Sequence, residues 1–126
     1  MKLKNNIIKS QEEIFTQMNK GGYVYLVFSK GRSKIGFSKD PEKRLEKIQT
    51  SSPFDVLVMC VRYFYNARKI ETLLHRHYRD FRVKGEWFDL TGEQVFEICD
   101  ILELGWYLDV SEKLEKSAKS AAFLSL

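Results

Sequence analysis

The spacing of apolar residues changes repeatedly along the chain, and each change predicts an element. Ile7, Ile8, Ile14, Phe15 and Met18 fall near helical spacing, predicting an N-terminal helix within residues 1–20 that Gly21-Gly22 ends in a sharp turn. Tyr23 to Phe28 is a β-rich run, Ser29-Lys30-Gly31-Arg32 reads as a hairpin turn, and Ser33 to Phe37 as the return strand. Strand alternation puts Val24, Leu26 and Phe28 on one face and Tyr23, Tyr25 and Val27 on the other. If Ile35 joins the apolar face, Lys34 joins the tyrosines. The hairpin then has one greasy face and one that offers phenols and an amine.

Asp40-Pro41 predicts a helix start, with Asp as N-cap and Pro at the first position, where its missing N–H costs nothing. Pro41, Leu45 and Ile48 form the apolar stripe of that helix, and Thr50-Ser51-Ser52-Pro53 breaks it. Val56 to Tyr65 is apolar on both faces apart from Arg62, predicting a central strand covered on each side. A helix is expected from an Asn66 cap through Phe81, with Ile70, Leu73, Leu74, Tyr78 and Phe81 facing the core. Val83-Lys84-Gly85 reads as a basic turn into a short extended segment, Glu86 to Leu90. Thr91 and Gln94 form a capping box for a helix over about 92–104, Gly105 ends it, and Asp109 begins a last helix. The expectation is one domain over 1–126 in the α/β (α+β) class: a small central sheet of about three strands flanked by helices, with extra N- and C-terminal helices.

Composition narrows the class. A chain of 126 residues suits one domain, and 9 Phe, 6 Tyr and 2 Trp supply a core that excludes disorder. No stretch approaches the ~20 apolar residues of a membrane span. Cys60 and Cys99 are too few and too far apart for a disulfide framework or a CxxC zinc pair, and read as reduced thiols of a cytoplasmic protein.

Charge placement says more than the net +4. Residues 29–48 hold seven bases against three acids, and 62–84 hold seven against two. Residues 86–115 reverse the balance, with nine acids and one lysine. Such a chain can present a basic surface to a polyanion, with nucleic acid the first candidate, or can simply carry solvated helix faces of alternating sign.

Four features then recur together: Gly22-Tyr23-Val24-Tyr25, Lys34-Ile35-Gly36, Arg44 on the next helix, and Glu71 on the helix after the long strand. The set resembles the GIY-YIG nuclease superfamily, in its compact branch typified by a phage T5 DNA-binding domain; Glu71 to His75 and Gly85-Glu86-Trp87-Phe88 carry the second likeness. The similarity spans residues 21–90, with Tyr25 as the functional tyrosine and Lys34 where most members have tyrosine. It implies a metal-dependent DNA endonuclease with Tyr25, Lys34, Arg44, Glu71 and His75 as catalytic candidates. Glu71 would hold Mg²⁺ (or Mn²⁺), and Lys39, Lys43, Lys47, Arg76, Arg79 and Lys84 would contact nucleic acid.

The chemistry suits those residue types. Phosphodiester hydrolysis needs an activated water and positive charge on the phosphate oxygens. Tyr25 is the candidate base, aided by positive neighbours because a free phenol has a pKa of ~10. Arg44 can fork onto phosphate. A hydrated Mg²⁺ often takes a single carboxylate plus substrate phosphate. Each residue also has a plainer role: Tyr25 in packing, Arg44 lying over Leu45, Glu71 in a surface pair, His75 in a structural hydrogen bond, Glu86 as a cap or ion pair. Two other functions compete with nuclease action, a non-cleaving DNA-binding module and a phage-type protein-interaction factor. The terminal helices could also form a homodimer seam.

Overall fold

The computed structural model describes residues 21–104. The expected N-terminal helix, the helix from Asp109 and the dimer seam expected of them lie outside the described residues.

Strands β1 (Gly22–Ser29) and β2 (Arg32–Ser38) form an antiparallel hairpin around Lys30-Gly31. Both loop residues have positive φ, 46° and 79°, as a type I′ turn demands, and the twist of that turn matches the twist of the strands. Register pairs Tyr23 with Ser38, Tyr25 with Gly36 and Val27 with Lys34. Lys34 therefore shares a face with Tyr23 and Tyr25, as the alternation predicts. Gly21-Gly22 is not a turn: Gly22 opens β1, and the missing side chains admit the rings of Tyr63 and Phe37.

Helix α1 (Pro41–Ser51) starts as read, with the Asp40 carboxylate accepting the Lys43 N–H at 3.2 Å. It lies on the tyrosine face, where Leu45 and Ile48 pack with Tyr25, Val27, Val61 and Trp87. Strand β3 (Leu57–Phe64) pairs antiparallel with β1. It was expected to be central and covered, but it forms an edge of the sheet, and Leu57, Val58, Met59 and Tyr63 are 40–58% exposed. A register shift at Leu26/Val27 leaves Met59 bulged. A continuous apolar run does not distinguish a covered strand from an edge strand whose alternation a bulge has interrupted.

Helix α2 (Ala67–His77) stops short of the expected Phe81, and Asn66 makes no side-chain cap bond. A 3₁₀ turn over Arg79–Phe81 then leads into β4 (Arg82–Lys84) and β5 (Trp87–Phe88). The sheet thus has five antiparallel strands, ordered β3-β1-β2-β5-β4, and not about three. Strands of three and two residues are too short to display a period-two pattern, so their pairing is invisible before the chain folds.

Helix α3 (Gly92–Leu104) begins with the predicted capping box. Thr91 N–H donates to Gln94 Oε1 at 2.9 Å, and Gln94 N–H to Thr91 Oγ1 at 3.2 Å. Helices α2 and α3 cover the apolar face of the sheet, where Val24, Leu26, Ile35, Ile70, Leu74, Phe88, Ile98 and Leu102 are buried together. The buried Tyr78 hydroxyl donates to Glu97 and ties the two helices; burial and that carboxylate push its pKa up. Among the described residues no helix is long and apolar enough to cross a membrane, and Cys60 and Cys99 are free thiols.

The hairpin turn gives a direct test. Gly31 has open space around it, so Gly31→Ala meets only the backbone cost of positive φ. Denaturant unfolding should show a loss of about 1–2 kcal/mol with the slope unchanged.

Candidate functional site

Tyr25 lies midway along β1, between Val61 on β3 and Gly36 on β2. Its side chain is fully buried, and it lies across Gly36, its partner on β2, where a Cβ would collide with the ring and the hydroxyl. A glycine at 36 is thus the condition for a phenol at 25. Among the described residues the hydroxyl has no hydrogen-bond partner, an uncommon state for a buried polar atom.

Three elements bring charges to that hydroxyl. Burial is the largest influence on Tyr25, followed by the negative charge of Glu86; together they push its pKa up to about 12. Arg44, from α1, works in the opposite direction, and Glu71, from α2, adds to the rise. Arg44 acts first by its charge and then by a side-chain contact with the hydroxyl that falls short of a well-formed hydrogen bond. Tyr25 is therefore a neutral phenol at physiological pH, held between one guanidinium and two carboxylates. Glu71 is half-buried, and burial first, then Glu86, raise its pKa, while His75, Arg68 and Arg44 lower it.

Glu86 is the member that sequence reading assigned a minor role. It occupies the two-residue turn between β4 and β5, after Gly85 at φ 57°. Glycine at the first central position is what a type II′ hairpin needs. The turn is anchored by Ile35 N–H donating to the Glu86 carbonyl at 3.1 Å. The Glu86 carboxylate then faces Lys34 Nζ at 3.6 Å, and Lys34 also lies 5.3 Å from the centre of the Trp87 ring. Glu86 thus couples the lysine to the phenol. The signal was available as Gly85-Glu86-Trp87, but nothing in the spacing says that this hairpin pairs with β2.

His75 occupies the open edge of β2. Ladder pairing with β5 stops at Lys34, and His75 Nε2 donates to the Ile35 carbonyl at 2.7 Å. The acceptor is a carbonyl, so Nε2 carries the proton, and the ring packs edge-on against Phe88, 5.0 Å between centres. Its position fixes α2 against the sheet and so sets where Glu71, one turn earlier, stands.

The expected nucleic-acid contacts divide into two groups. Lys43 and Lys47 join Arg44, Ser38 and Asp40 around a shallow hollow of about 200 Å³ along α1, with Lys39 exposed in the loop just before the helix. Lys84 pairs across from Trp87, which places it on the tyrosine face. The other two stand apart. Arg76 is rotated by about 140° around α2 from Glu71, and Arg79 lies beyond the end of the helix. The acids of α3 lie behind the opposite face of the sheet, where Glu103 meets Arg62 at 3.4 Å. The basic hollow and the acidic helix are thus separated by the sheet.

Two outcomes follow from the fit at residues 25 and 36. Gly36→Ala should cost about 1–3 kcal/mol by overpacking, whereas Tyr25→Phe, which removes an unpartnered buried hydroxyl, should raise stability by about 1 kcal/mol. Ultraviolet difference titration should show a tyrosine near pH 12 that is missing in Tyr25→Phe. In that range the folded state keeps a proton that the unfolded state has lost, so the stability of the parent protein should fall between pH 10 and about 12.

Comparison with known proteins agrees with the extent of this unit. No curated protein and no solved structure matches the chain. Residues 22–103, from the first residue of β1 to the last turn of α3, match the T5orf172 domain. The chain belongs to the T5orf172 domain family, a phage T5-type family.

Proposed function

We propose that this domain is a GIY-YIG-type endonuclease acting on DNA, with its reaction centre at Tyr25. The observation that carries the reading is a buried phenol without a hydrogen-bond partner, flanked by Arg44, Glu71 and Glu86 from three separate elements. Family membership supports a DNA-related role and is compatible with nuclease action.

A divalent cation is part of this reading, and the residues admit one only in a particular form. Among the described residues no group of three or more His, Cys, Asp or Glu side chains forms a ready-made metal cage. Two neighbouring carboxylates, Glu71 with its pKa raised and Glu86, nevertheless crowd negative charge that a cation would relieve. Mg²⁺ fits such a place because it keeps several waters and takes one carboxylate, here Glu71, together with substrate phosphate. Bound there, it would polarise the phosphate and lower the pKa of the attacking water and of the nearby phenol.

The remaining chemistry falls to the chain. Arg44 forks onto the non-bridging oxygens and offsets the charge that accumulates on them. Water attacks phosphorus, the bond to the departing 3′-oxygen breaks and that oxygen takes a proton from solvent, while the water proton passes to Tyr25, whose own proton has first gone to solvent under the positive charge of Arg44 and Lys34. Lys34, steadied by Glu86 and Trp87, supplies the positive charge that holds that phenolate or the phosphate. His75 acts as a positioning residue through the Ile35 carbonyl. The hollow lined by Lys43 and Lys47 receives the flanking phosphates.

A second reading has an observation in its favour. Burial and Glu86 keep Tyr25 neutral, which suits a module that grips DNA without cutting it. Plasmid nicking separates the two. With Mg²⁺ the endonuclease nicks and chelator stops it, and Tyr25→Phe or Arg44→Ala lowers the rate by about 100-fold or more while the fold persists. Absence of nicking with salt-sensitive DNA binding retained would select the binding module.

A thermal shift tests the cation independently of turnover. Mg²⁺ should raise the melting temperature of the parent protein and not that of Glu71→Gln. The effect should weaken as pH falls through the raised pKa of Glu71, because protons then compete for the carboxylate.

A further inference from the structure

Arg68, Glu71 and His75 stand at i, i+3 and i+7 on α2 and so form one stripe along the helix. Two of them meet β2 beyond the point where β5 has ended. His75 Nε2 bonds the Ile35 carbonyl, and the Arg68 guanidinium lies 5.0 Å from the centre of the Phe37 ring. Ile35 and Phe37 are two residues apart, about 7 Å along the strand. Glu71 therefore falls between the two contacts, on the stretch of edge that holds Gly36, across which the Tyr25 ring lies. Ser38, next after Phe37, borders the hollow shared with Lys43, Arg44 and Lys47.

Arg68 has no role in the chemistry above, and its surroundings hold it without using its hydrogen-bonding capacity. The Phe37 ring packs against the core and fills the space beside Gly22, so it is a fixed seat. A ring attracts the cation but offers its five N–H donors no oxygen. Arg68 is exposed, and among the described residues it forms no ion pair. Glu71, one turn further on, feels its charge without being in ion-pair contact with it. Arg44 acts on the same carboxylate from α1. Two guanidiniums, from helices on opposite faces of the sheet, thus bear on Glu71. A planar fork that is charged, seated and without a carboxylate partner suits a phosphodiester.

We propose that Arg68 is a phosphate-binding residue of this site, and that the DNA backbone crosses the open edge of β2, held by Arg44 from the tyrosine face and by Arg68 from the opposite face, with Glu71 between them. The cationic track then runs from Lys47 and Lys43 in the hollow, past Ser38, to Arg68. A strand of evenly spaced phosphates can engage both guanidiniums at once. Contacts of this kind carry no sequence information, so the loss of Arg68 should weaken all DNA sequences alike. The inference rests on the DNA-binding part of the function proposed above and needs no cleavage.

Binding is to be measured with the full chain in chelator, by fluorescence anisotropy over a range of salt concentrations. The probe is a labelled DNA duplex with a single-stranded tail, which offers both forms of backbone. Arg68→Gln should weaken binding about 10-fold and lower the slope of log affinity against log salt by about 1, as one lost phosphate contact requires. Arg68→Met, which keeps an apolar stem on the Phe37 ring, should match it, and Arg68→Lys, which keeps the charge, should retain the slope. Lys69→Gln makes the same charge change about 100° away around α2 and should leave the slope as in the parent protein. A merely structural arginine would move the melting temperature and not the salt slope. Parent-like slopes in Arg68→Gln and Arg68→Met, or an equal drop in Lys69→Gln, overturn the contact at Arg68 and leave the DNA-binding reading standing. If the parent protein itself shows no salt-dependent DNA binding, both fall.

Discussion

A phenol packed across a glycine is the constraint around which this domain is arranged. Tyr25 and Gly36 face each other on paired strands, and the ring fills the volume that a side chain at 36 would take. That fit closes the sheet surface under α1 and leaves the hydroxyl buried and unpartnered. Burying a hydroxyl without a partner costs on the order of 1–3 kcal/mol, which packing elsewhere must offset. The large core on the other face, between the sheet and helices α2 and α3, is the place where apolar burial is most extensive.

Around that phenol the architecture separates two tasks by face. Helices α2 and α3 and the apolar side of β1 and β2 supply cohesion, and the acidic residues of α3 stay on that side. The tyrosine face carries α1 with Lys43, Arg44 and Lys47, together with Lys34 and Lys84. The acids of α3 thus stand across the sheet from the lysines and arginine of α1. Glu71 is the exception: it comes from a helix of the cohesive side, and its charge still acts on the phenol past the open edge of β2, where β5 has ended and His75 holds the carbonyl of Ile35.

Glu86 shows how a short element can control electrostatics. Three residues of β4 and two of β5 contribute little burial of their own, but their turn sets a carboxylate between Lys34 and Tyr25. The carboxylate forms an ion pair with the Lys34 ammonium and raises the pKa of the phenol. With burial and this carboxylate acting together, the phenol rests protonated.

Local rules were enough to locate most elements. Asp40-Pro41, the Thr91 and Gln94 capping box, the Lys30-Gly31 turn and the face shared by Lys34 and Tyr25 all follow from hydrogen bonds and backbone preferences within a few residues. The candidates Tyr25, Arg44 and Glu71 could be named from motif spacing, and the fold brings their charges within reach of one another. Long-range pairing lay beyond such rules. Which strand forms the edge, that β4 and β5 extend the sheet, and that Glu86 meets Lys34 depend on contacts between segments about 50 residues apart or with too few residues to show a period. The same holds for the direction of the Tyr25 pKa. Spacing tells which charges are available, but burial and the order of distances decide whether the phenol keeps its proton, and both exist only after the strands have met.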